Sequence, residues 1–343
     1  MKATLTVVIV AYNSAGELGR TLPALGTELE DGDQVIVVDN GSTDELASVV
    51  SEHLPDARIE TMGANLGFAA AVNRGAELAE GDLLLVLNPD ARPEPGFGAA
   101  IRWPLEVHPD WSAWMGLVLF RENDRLYINS AGNPVHFTGI SWAGGHGEPA
   151  GEAGPDREVP TASGACLAMP LETWRRLGGF PEAFFLYQED TDLSIRLRSA
   201  NEKVGLLTEA KVDHAYEFGG AGTKWFWLER NRWAMIIRNY PAALLLLLLP
   251  ALLATEIALF AAASTGGWLP EKRRAWAETL RWLPRLLGER RKIQAVRSVS
   301  ARNFALILTP DLDSPFLPAL VRRGPVRFVL RAYWRLVLLL LPG

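Results

Sequence analysis

The first hundred residues alternate continuous apolar runs with amphipathic stretches. Apolar runs cover residues 5–10, 34–39 and 83–87, and the stretches between and after them carry helical periodicity over 18–29, 45–53 and 68–78. Continuous apolar strands are typical of a parallel sheet that is covered on both faces. Strand–helix–strand repetition predicts right-handed βαβ units. The pattern therefore predicts an α/β fold with a doubly wound, Rossmann-like, mostly parallel sheet.

Polar residues follow each of these predicted strands. They occupy residues 11–14 (Ala-Tyr-Asn-Ser), 39–44 (Asp-Asn-Gly-Ser-Thr-Asp) and 88–90 (Asn-Pro-Asp). In open α/β sheets, ligands bind beyond the carboxyl ends of the strands. The sequence therefore predicts a binding site at this edge of the sheet.

The middle of the chain is less regular. Residues 129–160 are rich in glycine, proline and glutamate, and they include Trp142 and His146. A loop of this length is either functional or a solvated insertion, and the pattern leaves both open. Residues 162–169 then predict a buried strand, and residues 171–177 predict a short helix that ends at two glycines.

The last hundred residues have a different pattern. Residues 242–263 are apolar except for Thr255, Glu256 and Pro250. This stretch is long enough to span a bilayer, but the proline and the glutamate leave a re-entrant or in-plane helix equally open.

The segments that follow combine basic and apolar positions. Residues 271–302 hold ten lysines and arginines against three glutamates, and residues 326–341 place Arg327, Arg331 and Arg335 at four-residue spacing on one helix face. Basic, tryptophan-bearing helices are typical of an anionic membrane interface. The alternative is a helical bundle packed on the body or on a second subunit, which leaves a homo-oligomer open.

Charge divides the chain in the same way. Residues 1–240 carry 19 basic against 34 acidic residues, and residues 241–343 carry 15 against 6. We therefore expect two regions, 1–240 and 241–343, with different partners. The overall charge of −6 argues against nucleic acid, and the single cysteine, Cys166, excludes a disulfide framework and a cysteine-built zinc site.

Several polar residues suggest chemistry. Asp90 ends an apolar strand, and Glu189 and Asp190 follow an aromatic run at 184–187 that would limit solvation of Asp190 and raise its pKa toward that of a useful base. Acidic residues at a helix start are the alternative. His214 would suit Mg²⁺ or Mn²⁺ only together with nearby carboxylates.

Taken in order, these segments resemble the inverting nucleotide-sugar glycosyltransferases of family 2, which have the GT-A fold. The order and spacing of the segments make the resemblance specific, and its NPD and EDTDL variants look most like bacterial rhamnosyltransferases of cell-wall and O-antigen synthesis. The matching segments are VVIVAYNS (7–14), VVDNGSTD (37–44), NLGFAAAVNRG (65–75), LNPDA (87–91), SGACLAM (163–169), GGFPEAFFLYQEDTDLSIRL (178–197) and DHA (213–215).

The resemblance implies roles for individual residues. Asp190 would be the catalytic base, with Glu189 supporting it, and Asp90 with His214 would bind a divalent metal, Mg²⁺ or Mn²⁺. A downstream pair, Arg230 and Asn231, would contact phosphate. The implied donor-binding residues are Ala11, Tyr12, Asn13, Asp39, Asn40, Asn65, Gly67, Asn73, Asn88 and Asp90, with Tyr12 and Asp39 at the nucleobase. Asn88 stands where the family's D-x-D motif has its first aspartate, so one carboxylate would serve the metal.

The implied activity is inverting transfer of rhamnose from dTDP-rhamnose to a polyprenyl-diphosphate-linked saccharide. The expected location is the cytoplasmic face of the cell membrane, in a peripheral or monotopic arrangement on anionic lipid. UDP-galactofuranose or a UDP-hexose is the alternative donor, and a catalytically silent membrane scaffold is the alternative of another class. A nucleotidyltransferase would need a basic phosphate loop after the first strand, which residues 12–16 lack.

Overall fold

The structure is a computed structural model that describes residues 3–214, 223–317 and 324–342. The described chain forms two compact units. The sheet unit comprises residues 3–133, 143–194 and 202–214, and the helical unit comprises 134–142, 195–201 and the described residues from 223 onward. Ala215, the last residue of the DHA segment, lies outside the described residues.

One mixed sheet forms the core of the sheet unit. Its strand order is β3-β2-β1-β4-β9-β6-β10-β5, with β7 on β6 and β8 on β10. The strands are β1 (Leu5–Ala11), β2 (Gln34–Asp39), β3 (Arg58–Thr61), β4 (Leu83–Leu87), β5 (Ala91–Pro93), β6 (Trp111–Glu122), β7 (Arg125–Ser130), β8 (Arg157–Glu158), β9 (Cys166–Pro170) and β10 (Lys203–His214).

The first four strands confirm the predicted parallel α/β arrangement. β1 pairs in parallel with β2 and β4, and β2 pairs in parallel with β3. Ala11 is in register with Asp39, so the polar segments after β1 and β2 leave the sheet at the same edge. All seven residues of β1 and all five of β4 are buried, as expected for strands covered on both faces.

The second half of the sheet adds antiparallel strands. β9 lies antiparallel to both β4 and β6, and β10 lies parallel to β6 but antiparallel to β5. The predicted strand at 162–169 corresponds to β9, which begins at Cys166. The segment 129–160 is not without structure, because it includes the end of β7, a 3₁₀ turn at Ala150–Glu152 and β8.

Within the described part of the chain, six helices belong to the sheet unit and a seventh begins in it. They are α1 (Ala15–Gly26), α2 (Leu46–His53), α3 (Phe68–Glu77), α4 (Phe97–Arg102), α5 (Pro104–Val107), α6 (Leu171–Leu177) and α7 (Glu189–Ser199). α6 has its predicted bounds and ends at Gly178, whose φ of 73° suits glycine. α1 begins three residues before the predicted start because the prediction began at the first apolar residue, Leu18.

The helical unit contains α8 (Thr223–Asn239), α9 (Ala242–Gly266), α10 (Leu269–Ala295), α11 (Ala301–Ala305) and α12 (Gly324–Leu340). α9 runs through Pro250 as a single helix. By length and composition it could cross a membrane, and no other helix of the described residues meets that criterion. Leu244, Leu248, Leu252 and Glu256 form its buried stripe.

A buried charge cluster connects three helices of this unit. Glu229 and Arg232 lie on α8, Glu256 on α9 and Lys272 on α10. Arg232 Nη2 lies 2.9 Å from Glu229 Oε2, and Lys272 Nζ lies 2.8 Å from Glu256 Oε2. Arg232 also pairs with Glu256, and Lys272 with Glu229. Two carboxylates thus balance two cations, which explains why a glutamate interrupts the apolar stretch.

Candidate active site

A cavity of about 380 Å³ lies beyond the carboxyl ends of β1, β2 and β4. Seven of the ten residues implied for donor binding line it. Among the described residues, the lining is Val10, Tyr12, Asn13, Ser14, Glu17, Asn40, Asn65, Gly67, Phe68, Asn88, Pro89, Asp90, Phe185 and Leu186. The polar strand ends that the sequence singled out therefore meet in one place.

The segments after β1 and β2 hold each other through side-chain hydrogen bonds. Asn13 Oδ1 accepts a 2.8 Å hydrogen bond from the Thr43 amide, and the Asn13 amide donates to Ser42 Oγ at 3.0 Å. Asp39 Oδ1 accepts from the Ser42 amide at 2.8 Å. Tyr12 is half-exposed beside this network of hydrogen bonds, so its ring is available for stacking.

Asn65 and Gly67 shape the loop that leads into α3. Asn65 Oδ1 accepts hydrogen bonds from Asn40 Nδ2 and from the Gly67 amide, each at 3.0 Å. Gly67 has φ of +92°, and a Cβ there would lie 2.6 Å from the Phe185 carbonyl oxygen. Glycine is therefore required at position 67 because of the positive φ and because a side chain would collide with Phe185. Its small size lets the backbone at Phe185 pack directly against this loop.

Asn88 and Asp90 line the polar end of the cavity, and His214, which is not itself part of the lining, contacts both. His214 Nε2 lies 3.1 Å from Asp90 Oδ1 and 3.2 Å from Asn88 Nδ2. The Asp90 side chain is 20% exposed and that of His214 is 5% exposed. The antiparallel pairing of β5 with β10 explains the proximity, since His214 is in register with Ala91, the residue after Asp90.

Asp90 and His214 fit a divalent metal that takes some of its ligands from the protein and the rest from a substrate. No group of three or more histidine, cysteine, aspartate or glutamate side chains gathers as a metal site within the described ranges. A carboxylate and an imidazole are nevertheless suitable ligands for Mn²⁺, and Mg²⁺ is commonly held by one or two carboxylates together with substrate phosphates. Asp90 and His214 are the residues that would hold such an ion.

Asp190 and Glu189 begin α7 in different environments. Asp190 is partly exposed, and its Oδ2 accepts a 2.8 Å hydrogen bond from the Gly164 amide. Burial raises its pKa above the usual 3.8, although hydrogen bonds from Gly164 and Thr191 oppose the rise. Glu189 is buried, and burial together with the charge of Asp190 raises its pKa well above 4.5. Asp190 is thus the more accessible proton acceptor.

Gly164 links Asp190 to the cavity wall. A Cβ on Gly164 would lie 3.5 Å from both Asp190 Cβ and Phe68 Cε1, and Phe68 lines the cavity. The backbone before Asp190 is strained, with positive φ at Phe185 (66°), Tyr187 (70°) and Gln188 (71°). Such conformations persist where surrounding structure imposes them, and they cluster at active sites.

The remaining predicted residues lie elsewhere. Ala11 is buried in β1, and Asp39 does not line the cavity. Asn73 binds the Phe180 backbone, accepting from its amide and donating to its carbonyl, both at 2.9 Å. In the helical unit, Asn231 is buried, and the buried Arg230 guanidinium stacks on Trp227 and Trp282, with its carbon 4.3 and 4.1 Å from the ring centroids.

Sequence reasoning missed some lining residues and the Gly164 contact. Glu17 lies one helical turn after Ser14, so the spacing of a helix that starts at the strand end could have placed it at the cavity. Phe185 and Leu186 belong to the aromatic run that was noted only for its effect on Asp190. The bond from Gly164 joins residues 26 positions apart, and no local pattern indicates it.

Comparison with known proteins places these features in a family. The model of glycosyl transferase family 2 matches residues 6–137. An N-acetylglucosaminyl-diphospho-decaprenol L-rhamnosyltransferase of Mycobacterium tuberculosis is 31% identical over 237 residues, which cover 62% of this chain and 76% of that protein.

Two solved structures show the same fold. GalNAc-T7 with UDP, GalNAc and Mn²⁺ is 15% identical with a TM-score of 0.56, covering 69% of this chain and 48% of that one. The mannosyltransferase PcManGT of Pyrobaculum calidifontis with GDP-Man and Mn²⁺ is 21% identical with a TM-score of 0.51, covering 86% of each chain. At these identities the likeness concerns the fold alone.

Proposed function

Since the chain belongs to glycosyl transferase family 2, we propose that it transfers L-rhamnose from dTDP-rhamnose to N-acetylglucosamine on a polyprenyl diphosphate, with inversion at the anomeric carbon. The observation that carries this proposal is the cavity itself. Asp90 lies at its polar end in contact with His214, and Asp190 lies beside Gly164, as does Phe68 of the cavity lining. Support for the substrates comes from the activity named for the mycobacterial relative.

Different residues of this chain would bind the nucleobase and the metal ion. The half-exposed Tyr12 ring would stack on the nucleobase. Asp90 and His214 would hold Mg²⁺ or Mn²⁺, which when bound would neutralise charge on the leaving diphosphate.

Asp190 provides the base. The acceptor hydroxyl loses its proton to the Asp190 carboxylate while its oxygen bonds to the anomeric carbon, and the electrons of the sugar–phosphate bond leave with the diphosphate. A single base on the face opposite the leaving group produces inversion. The raised pKa of Asp190 makes it a stronger proton acceptor than an exposed aspartate.

The cavity wall supports a deoxyhexose donor. Phe68, Pro89, Phe185 and Leu186 present apolar atoms beside Asp90. Rhamnose carries a methyl group where a hexose carries a hydroxymethyl group, and a buried hydroxyl without a partner loses binding energy. Asn40 and Asn65 line the same cavity and would supply polar contacts to the sugar.

We extend the proposal to docking on the cytoplasmic face of an anionic membrane, where a lipid-linked acceptor presents its sugar. The exposed apolar surface of the helical unit supports the membrane docking. Only 22% of the most apolar 18-residue window of α9 is buried. Large apolar side chains that are more than half exposed project from α9 and α12, namely Leu246, Leu249, Leu253, Ile257, Phe328, Val329, Leu336, Leu339 and Leu340. Surfaces of this kind are typical of monotopic membrane association.

A donor screen with the full chain in detergent tests the proposal. dTDP-rhamnose, UDP-hexoses and UDP-galactofuranose are compared with polyprenyl-diphosphate-linked N-acetylglucosamine as acceptor, each with Mn²⁺, Mg²⁺ or EDTA. We expect metal-dependent transfer from dTDP-rhamnose, with inverted configuration in the product. Transfer from another donor alone would contradict the rhamnosyl assignment, and nucleotide binding without any turnover would contradict the enzymatic one.

A further inference from the structure

A second cavity, of about 300 Å³, adjoins the first within the sheet unit. The two cavities share Glu17 and Asp90 in their linings. The second is lined further by Thr21, Asp213 and three arginines, Arg20, Arg92 and Arg121. We call this the arginine cavity.

The two neighbouring cavities differ in charge. As far as the structure describes the chain, the lining of the first contains two carboxylates, Glu17 and Asp90, and neither lysine nor arginine. A diphosphate there would depend on a dication for its counter-charge. The arginine cavity has three guanidinium groups beside three carboxylates, so its lining is formally neutral and not acidic. The planar forks of guanidinium groups bind phosphate oxygens in pairs.

Carboxylates outside the first cavity hold two of these arginines in place. Arg92 Nη2 lies 3.1 Å and Arg121 Nε 3.5 Å from the same oxygen, Asp213 Oδ2, and Glu94 Oε1 lies 3.7 Å from each Nη2. The side chains of Arg92 and Arg121 are still 44% and 41% exposed. Their other guanidinium nitrogens contact no carboxylate of the described residues, so donors remain for a ligand.

On the basis of the proposed transfer, we propose that the arginine cavity binds the diphosphate of the lipid-linked acceptor. The reaction requires two diphosphates at once, one on each substrate, and like charges at close range need separate counter-charges. Asp90 lies on the boundary between the cavities. The donor diphosphate therefore lies on its metal-binding side, and the acceptor diphosphate lies on the side of the arginines.

Kinetics with two acceptors test this assignment. Arg92→Gln and Arg121→Gln, singly and together, are assayed with polyprenyl-diphosphate-linked N-acetylglucosamine and with octyl N-acetylglucosaminide, which carries no phosphate. We expect KM for the diphosphate acceptor to rise about tenfold per arginine, the scale of a charge-assisted hydrogen bond. KM for the octyl acceptor and for the donor should stay within about twofold, and Arg121→Lys should retain part of the affinity because it keeps the charge.

Arg58→Gln is the matched control, since Arg58 is a 48% exposed arginine of the same unit that pairs with Glu60 away from both cavities. Arg58→Gln should leave KM unchanged for both acceptors and for the donor. An equal loss with both acceptors would overturn the proposal. A raised KM for the donor instead would also overturn it, because the arginines would then serve the donor diphosphate.

Calorimetry separates this inference from the transfer activity. Inorganic pyrophosphate is titrated into protein that is saturated with dTDP and Mn²⁺, so that the first cavity is filled. We expect binding to the native chain and to Arg58→Gln, loss of binding in the double variant, and competition with the lipid-linked acceptor. Unchanged binding in the double variant, or binding without competition, would overturn the acceptor site even if no donor supported turnover.

Discussion

Each unit contains a pair of neighbouring carboxylates that are buried or partly buried, but the surroundings of the two pairs differ. In the sheet unit, Glu189 and Asp190 are neighbours at the start of α7, and neither contacts a lysine or arginine of the described residues. In the helical unit, Glu229 and Glu256 face Arg232 and Lys272. Burial raises the pKa of Glu189 well above its usual value. Burial also acts on Glu229, but the two cations outweigh it and lower its pKa.

The difference separates carboxylates that fix the fold from those that move protons. A buried carboxylate with cationic partners stays ionised and holds helices together, and removal of one partner leaves an uncompensated charge. A buried carboxylate without such partners has a raised pKa, which suits acid–base chemistry. The comparison predicts opposite consequences for substitutions in the two pairs.

The largest effect is expected at Asp190. Asp190→Asn removes the proton acceptor, so kcat should fall about 10²–10⁴-fold. Affinity for dTDP, measured by calorimetry, should not change because Asp190 does not line the cavity. Asp110→Asn, at an exposed aspartate paired with Lys203, is the control and should keep full activity. Turnover of Asp190→Asn within a few-fold of the native rate would refute the assignment.

The next effect is on stability in the helical unit. Glu229→Gln leaves Glu256 as the one carboxylate against two buried cations, Arg232 and Lys272. One charge of the cluster is then uncompensated, and the free energy of unfolding should fall by about 3–5 kcal/mol in urea titrations. Asp313→Asn breaks a half-exposed pair with Arg327 and should cost at most about 1 kcal/mol. Equal costs for the two variants would show that the buried cluster contributes no more than a surface pair.

Smaller effects are expected at the metal end of the cavity. Asp90→Asn and His214→Ala should each weaken Mn²⁺ binding at least about 10-fold, because even the loss of an outer partner of a metal ligand costs about 10–100-fold. Electron paramagnetic resonance of free Mn²⁺ in the presence of dTDP measures this. His146→Ala, at a histidine stacked on Phe120 and outside the cavity, should leave the affinity unchanged. Undiminished affinity in both site variants would place the metal elsewhere.

The last effect is a pH dependence of stability at Glu189, which is small near pH 4.5 and grows as the pH rises. Its pKa is raised in the folded state, so above about pH 4.5 the unfolded chain ionises first and the contribution of Glu189 to stability is lost as pH rises. Glutamine does not ionise, so Glu189→Gln should gain stability relative to the native chain by up to about 1.4 kcal/mol per pH unit above that value. Urea midpoints measured from acid to neutral pH test this, and a difference independent of pH would contradict it. Glu229, with a lowered pKa, should show the opposite sign.

The local pattern of apolar and polar residues was sufficient to predict the strands of the parallel half of the sheet. Continuous apolar runs identified β1, β2 and β4, and the parallel register then placed Tyr12, Asn40 and Asp90 at one edge. This follows because the carboxyl ends of parallel strands must lie together. The same pattern identified α9, although it did not show that Glu256 pairs with Lys272.

Contacts between residues that are far apart in the sequence could not be predicted from the local pattern. Asn73 resembles a donor-binding residue in sequence, yet its amide side chain binds Phe180, 107 positions away. Arg92 and Arg121 come together only because β10 lies between β5 and β6 and brings Asp213 to both. Periodicity specifies which residues form a strand, and tertiary pairing decides which side chains meet across it.

The pH dependence of kcat tests most directly whether Asp190, the carboxylate without a cationic partner among the described residues, is the catalytic base. Native enzyme and Asp190→Asn are compared at saturating donor, acceptor and metal. The native rate should rise with pH through an acid limb whose pKa lies above 3.8, because Asp190 must be ionised to accept the proton. The residual rate of Asp190→Asn should lack that limb. An acid limb that persists unchanged in Asp190→Asn would show that another group is the base.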